Sequence, residues 1–398
     1  MWRSDRRVKP FAFFLLFLFI CRSAAWAQAA PAVSDAKSAE VPTGVKDAAV
    51  PHSGGLSTAS GPNGEAAKPT VPGAQTVVVK DEKDIPKRKD LDYEDWSRPE
   101  LPSGMKMEAV PLLKSQQKSF TREEIEVQWR DLDPIDLWVI KPADIKNPPV
   151  ILYLYSYPSD NLRYKDDQFC QFVTKNGFAA VGFVSAVTSQ RLHDRPMRDT
   201  FVNQLQEALA TTTHDVQMIL NYLAKRGDLD MTRVGMWGDG SGAGIAIMAA
   251  AVDSRIKALD LLDPWGDWPD WLAKSSLVRQ TERSDLQRPE FLEKVENLDP
   301  VNYLPQLKRQ QVRLQYIKHG LTVTPEVVEE KMEAAAPANA QIVHYENTKA
   351  FLADVASKGT GFDWIKGRLG SVVDASGSST SDVRKALAAS TEAKTPAR

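Results

Sequence analysis

From about residue 105 the chain alternates between short apolar runs and longer segments in which apolar residues recur every three or four positions. VILYLYSYP (150–158) and GFAAVGFVSA (177–186) are unbroken apolar runs of strand length, and RVGMWGDG (233–240), IKALDLLDP (256–264), VRLQYIKHG (312–320) and AQIVHYEN (340–347) repeat the pattern. Helical periods lie between them. DDQFCQFVTKNG stops at Gly177, and ALATTTHDVQMILNYLAKRG (208–227) puts Val216, Ile219, Leu220 and Leu223 on one face before Gly227 as C-cap. Further helices are expected from about Gly242 to Val252 and over PEVVEEKMEAAA, while IEVQWRDLDPIDLWVIKP (125–142) predicts an antiparallel pair turning at Asp133-Pro134. Strands apolar on both faces, alternating with helices, predict an α/β fold: a mostly parallel central sheet covered by helices on both faces. Its ligand site belongs at the carboxyl ends of the strands.

Outside 105–370 the pattern fails. Arg3, Arg6, Arg7 and Lys9 precede the apolar run FAFFLLFLFI (11–20), and Ala25-Trp26-Ala27 supplies a small-x-small cleavage pattern. Residues 1–27 therefore read as a signal peptide and predict export, to a periplasm or beyond the cell. The run is shorter than the ~20 residues a membrane span needs, so no span is expected after cleavage. Residues 28–104 are expected to be a low-complexity flexible linker, rich in Ala, Pro, Gly and Ser up to about residue 80 and charged in DEKDIPKRKDLDYEDW. Residues 371–398 return to small polar types and read as a disordered tail.

Charge and cysteine content narrow the chemistry. Of 50 basic and 52 acidic residues, the first 27 carry five basic (Arg22 included) and one acidic, leaving 45 against 51, a formal −6. That sign argues against nucleic acid as a partner, because phosphate binding relies on basic patches. Cys170 alone survives cleavage, so no intramolecular disulfide is possible, and its apolar helical setting predicts a buried, inert thiol.

VGMWGDGSGAGIAIMAA (234–250) is strand, glycine-rich turn and small-residue helix, the layout of a nucleophile elbow. Together with the tract through SRIKALDLLDPWG, and with LDPVNYLPQLKRQQVRLQYIKHG leading into a late strand, it resembles the α/β-hydrolase superfamily over 120–368. The resemblance is to its dienelactone-hydrolase and prolyl-oligopeptidase-like serine hydrolases. It implies an α/β-hydrolase fold with a short cap at about 265–305, and a triad of elbow serine, late-strand acid and final histidine. The triad-equivalent positions are Gly240 in Gly238-Asp239-Gly240-Ser241-Gly242, Val323 after His319-Gly320, and Lys349 in Asn347-Thr348-Lys349. The sequence therefore predicts a degenerate triad, with glycine tolerating the strained backbone of the nucleophile's place.

Two functions remain open at this stage. The first is a catalytically silent hydrolase-fold protein binding a small acyl, aromatic or sugar-like ligand, or a partner protein, at the former active site. Its binding residues would be Tyr157, Gly240, Ser241, Trp265, Trp268 and Trp271, the tryptophans either lining the pocket or packing the cap. The second is a working serine esterase or peptidase with Ser241 as nucleophile, Asp263 as acid and His319 as base; against it, Ser241 reads as a helix start and Asp263 as a turn former before Pro264. Asp263, Asp267 and Asp270 match no metal-ligand spacing, and no cofactor is implied.

Overall fold

The computed structural model describes residues 94–102, 104–130, 133–156, 162–186, 204–320, 324–357 and 362–370. The expected signal peptide, most of the expected linker, the tail, Tyr157 and Val323 lie outside the described residues.

Nine strands form one sheet: β1 (Glu108–Gln116), β2 (Phe120–Gln128), β3 (Ile135–Pro142), β4 (Pro149–Leu154), β5 (Ala179–Phe183), β6 (Asp230–Asp239), β7 (Ile256–Leu262), β8 (Gln311–Ile317) and β9 (Gln341–Tyr345). Their order is β1-β2-β3-β5-β4-β6-β7-β8-β9. β1, β2, β3 and β5 pair antiparallel in succession, and every pair from β5 to β9 is parallel. Every residue of β4 and β5 is buried, as strands covered on both faces must be.

The helices are α1 (Asp167–Thr174), α2 (Leu205–Arg226), α3 (Ser241–Val252), α4 (Trp268–Lys274), α5 (Arg283–Leu286), α6 (Pro289–Glu296), α7 (Glu326–Ala335), α8 (Thr348–Ser357) and α9 (Asp363–Leu369). One core joins α2, α3 and the α4–α7 region to one face of the sheet, through Leu209, Ile219, Ile247, Trp271 and Met332 among others. The other joins α1, α8 and α9 to the opposite face through Phe169, Phe351, Leu352 and Ile365. The short helices α4–α6 lie between β7 and β8, within the stretch 265–305.

α3 has no polar face, because it lies between the sheet and α2, and its residues are buried from Ser241 to Ala250. Gly227 closes α2 at φ 73°, as the sequence predicts. The folded body begins earlier than the expected boundary at 105: the carbonyls of Arg98 and Pro99 and the amide of Leu101 are already hydrogen-bonded to α2.

From β4 the chain goes to β5 on one side, and from β5 it crosses back past β4 to β6 on the other, so the direction of the connections reverses here. The carboxyl ends of β4 and β6 therefore form the switch point at which open α/β sheets place their ligands. Leu154 and Gly238 pair across these strands, which sets Ser156 beside Gly240.

Candidate functional site

β6 ends at Asp239 and α3 starts at Ser241, leaving Gly240 alone at the apex with φ 53° and ψ −115°. A side chain at that φ is strained, and glycine has none. Three backbone hydrogen bonds fix the bend: the Gly240 N–H donates to the Leu262 carbonyl (2.9 Å), and its own carbonyl accepts from Gly244 (3.2 Å) and Trp265 (3.2 Å). The glycine two residues on is required by proximity, since a Cβ on Gly242 would stand 2.3 Å from the Leu154 carbonyl oxygen.

The space in front of the apex is occupied. A Cβ on Gly240 would lie 2.3 Å from the Ser156 hydroxyl and 3.1 Å from Trp265 Nε1. Ser156 is buried just after β4. Its backbone N–H donates to the Asp239 carboxylate. Asp239 is half-buried. Burial raises its carboxyl to about 6, against the opposing pull of the Arg163 guanidinium and of that hydrogen bond. Arg163 lies 3.6 Å over the Tyr155 ring, so serine, aspartate, arginine and tyrosine all gather at the bend.

The fallback triad is not assembled by the described contacts. Ser241 is fully buried as the first residue of α3. Asp263 sits at φ 44° after β7, and its carboxylate accepts the Ile317 N–H at 2.8 Å. Burial pushes that carboxyl well above the usual range. His319 is mostly exposed, with Nε2 3.5 Å from Glu346. The other described histidines also meet carboxylates, His214 with Glu94 (2.7 Å) and His344 with Glu333 (3.0 Å). Lys349 is exposed on α8.

The tryptophans resolve in favour of packing. Trp265, Trp268 and Trp271 are each 1% exposed. Trp271 lies 4.4 Å from Trp265 and 5.7 Å from Trp268, centroid to centroid, and Trp268 Nε1 donates to the Leu298 carbonyl at 2.9 Å. The Asp299 carboxylate ties the segment down by accepting the N–H groups of Asp267 (2.7 Å), Trp268 (2.9 Å) and Val301 (3.2 Å). In this arrangement the three rings pack against one another and the surrounding core, the packing role being one of the two expected for them.

The three aspartates of that stretch have separate partners. Asp267 and Asp270 share Lys331, whereas Asp263 faces Ile317. Cys170 is buried, its thiol pushed up to about 11 chiefly by burial. Sequence reading missed Ser156, Arg163 and the chemistry of Asp239; only Asp239, inside the elbow motif, carried a signal.

No family model matches the sequence, and no curated protein does. Solved structures do. The acetyl xylan esterase from Paenibacillus sp. R4 aligns with a TM-score of 0.48 at 13% identity, covering 68% of this chain and 90% of that one. Acetyl xylan esterase 1 from Thermoanaerobacterium sp. JW/SL YS485 gives 0.44 at 17% identity, covering 64% and 86%. The acylaminoacyl peptidase of Pyrococcus horikoshii gives 0.46 at 18%, covering 63% of this chain and 40% of that one. The fold is the α/β-hydrolase fold. Its strand order, its antiparallel start and the strand–bend–helix after β6 carry that assignment on this chain's own geometry. An α/β-hydrolase fold does not fix a reaction, so the activity rests on the groups at the bend. Among the described residues, no helix is long and apolar enough to cross a membrane.

Proposed function

We propose that this chain is an exported α/β-hydrolase-fold protein without hydrolytic turnover, which uses the elbow end of its sheet to bind a small acyl ligand or a partner. One observation carries the reading: the apex residue is Gly240, and the Ser156 hydroxyl and Trp265 indole stand where a nucleophile's side chain would begin. Acyl transfer needs an attacking atom and a base within hydrogen-bond reach. Ser241 is enclosed at the start of α3, and His319 is turned to solvent.

Binding chemistry persists where turnover chemistry does not. Ser241 opens α3 at the carboxyl ends of β4 and β6, where open α/β sheets place their ligands. Half-buried Tyr155 and Asp239 border the same bend. With its carboxyl raised to about 6, Asp239 is protonated in mildly acidic surroundings and then donates a hydrogen bond to an acyl oxygen. Packing of the three tryptophans into the core favours an acyl over a stacked aromatic or sugar ligand. Export rests on the basic start, the apolar run and Ala25-Trp26-Ala27.

The test is exposure of the purified protein to a fluorophosphonate probe and to aryl esters of graded chain length, alongside thermal-shift titration with the corresponding free acids. The expected result is no covalent label, no turnover above buffer, and stabilisation by some of the acids. Labelling that disappears in Ser241→Ala would establish an active serine hydrolase instead.

A further inference from the structure

The segment preceding β1 is fastened to α2 by a buried polar cluster far from the elbow. His214, in the middle of α2, is completely buried. Its Nδ1 lies 2.7 Å from the Glu94 carboxylate and its Nε2 lies 3.0 Å from the Arg98 carbonyl. One turn further along α2, Gln217 donates to the Pro99 carbonyl (2.7 Å) and accepts the Leu101 N–H (3.1 Å).

Both atoms facing the imidazole are acceptors. A backbone carbonyl has no proton to give. Arg130 binds Glu94 through Nε (2.5 Å) and Nη2 (2.7 Å). Burial alone would raise the Glu94 carboxyl, but hydrogen bonds from Arg130 and His214 more than offset it and hold it at about 2. Glu94 is therefore a carboxylate, and a ring placed between two acceptors satisfies both only with a proton on each nitrogen.

The charges agree with that state. Arg130 Nη1 also reaches Asp215 (2.7 Å), which accepts from Trp129 Nε1 (2.8 Å). Glu94 and Asp215 carry two negative charges against Arg130 and a cationic His214. At the edge of the cluster are Asp133, 3.3 Å from Arg130, and the exposed pair Asp95–Arg98 at 3.1 Å. α3, packed against α2, carries no titratable side chain.

We propose that His214 is a buried imidazolium whose second proton buttons residues 94–98 onto α2, so that the arm loosens around Arg98 as the ring loses it. A neutral ring points a lone pair at either Glu94 or the Arg98 carbonyl, exchanging a charge-assisted hydrogen bond for repulsion between two acceptors. Gln217 does not titrate, so its hold on Pro99 and Leu101 persists. Arg130 likewise keeps its bonds to Glu94 and to the Thr211 carbonyl of α2, so the arm stays anchored at both ends and gives way between them when the ring is neutral.

Hydrogen exchange of the full chain, corrected for the intrinsic pH dependence of amide exchange, tests the clasp between about pH 5.5 and about pH 9. The peptide spanning 94–98 should exchange at least about tenfold faster at the higher pH, with β4 and β6 unchanged. In His214→Gln that step should vanish, because a neutral amide offers its donors at every pH. The ring nitrogens of His214 in the unmodified protein give a second reading, independent of whether the variant folds: both should carry the protonated ¹⁵N signature at about pH 5.5. A neutral tautomer there, or arm exchange without a pH step in the unmodified protein, overturns the proposal.

Discussion

The hydroxyl of Ser156 lies 2.3 Å from the point at which a Cβ on Gly240 would stand. Two residues from separate strand ends are thus complementary: one has no side chain, and the other puts an alcohol into the space left free.

Gly240→Ser should therefore not restore an ordinary elbow. The substitution meets strain at φ 53° and overlap with Ser156, each worth about 1–3 kcal/mol. A loss of about 3 kcal/mol in urea denaturation is expected, with no esterase activity gained. Adding Ser156→Gly should return about 1–2 kcal/mol, because it removes the overlap but not the backbone strain. Strictly additive losses in this cycle would show that the two positions do not compete for space.

Asp239 makes stability depend on pH in a particular direction. Its carboxyl is raised from 3.8 to about 6, so between those values the folded state binds more protons than the unfolded one. Stability from this group is intact below the window and falls as pH rises through it. Asp239→Asn keeps an acceptor for the Ser156 N–H and removes the charge. It should be stabilising by up to about 3 kcal/mol at about pH 8 and close to neutral at about pH 4. Equal effects at both pH values, measured by chemical denaturation, would count against this sign.

The tryptophan cluster predicts a structural phenotype. Trp271→Ala should cost about 3–5 kcal/mol, the range for emptying a packed aromatic site. Ligand affinity should change only as far as the fold itself is lost. A folded Trp271→Ala protein with unchanged melting temperature but abolished binding would reinstate an aromatic lining.

A second buried network supports the far end of the sheet. Asp260, fully buried on β7, accepts from Arg313 Nε (2.8 Å) and Nη2 (2.6 Å), and from Gln315 Nε2 (2.8 Å). Asp260→Leu leaves a guanidinium without its counter-charge in the interior and should cost about 3–5 kcal/mol. Asp260→Leu with Arg313→Met should recover part of that loss, since the buried guanidinium is gone while the Gln315 amide still loses its acceptor. Calorimetric melting of the two variants beside the unmodified protein distinguishes this from a pair that is simply stabilising.

Much of the scaffold is legible from pattern alone. The apolar runs at 150–158, 177–186, 233–240, 256–264, 312–320 and 340–347 each hold an observed strand, and the Asp133-Pro134 turn separates β2 from β3. β1 was not legible: Pro111 interrupts it, and Val110, Leu112 and Leu113 are half exposed, so it shows neither alternation nor a buried run. The arm at 94–101 is not legible because its partners, His214 and Gln217, lie more than a hundred residues away. Gly240 was readable because the elbow is local. Ser156 was not, since its role arises from the alignment of Leu154 with Gly238 across two strands. The spacing of Trp265, Trp268 and Trp271 predicts a shared neighbourhood but not which way it faces. Asp299, some thirty residues on, is what draws that segment inward.

Stitching of Gly240 through its own N–H and carbonyl to Leu262, Gly244 and Trp265 has an evolutionary corollary. The bend is held by main-chain atoms, so substitutions around it can accumulate without unmaking it. A side chain at the apex competes for space with a residue eighty-odd positions upstream, so the two positions can change freely only together.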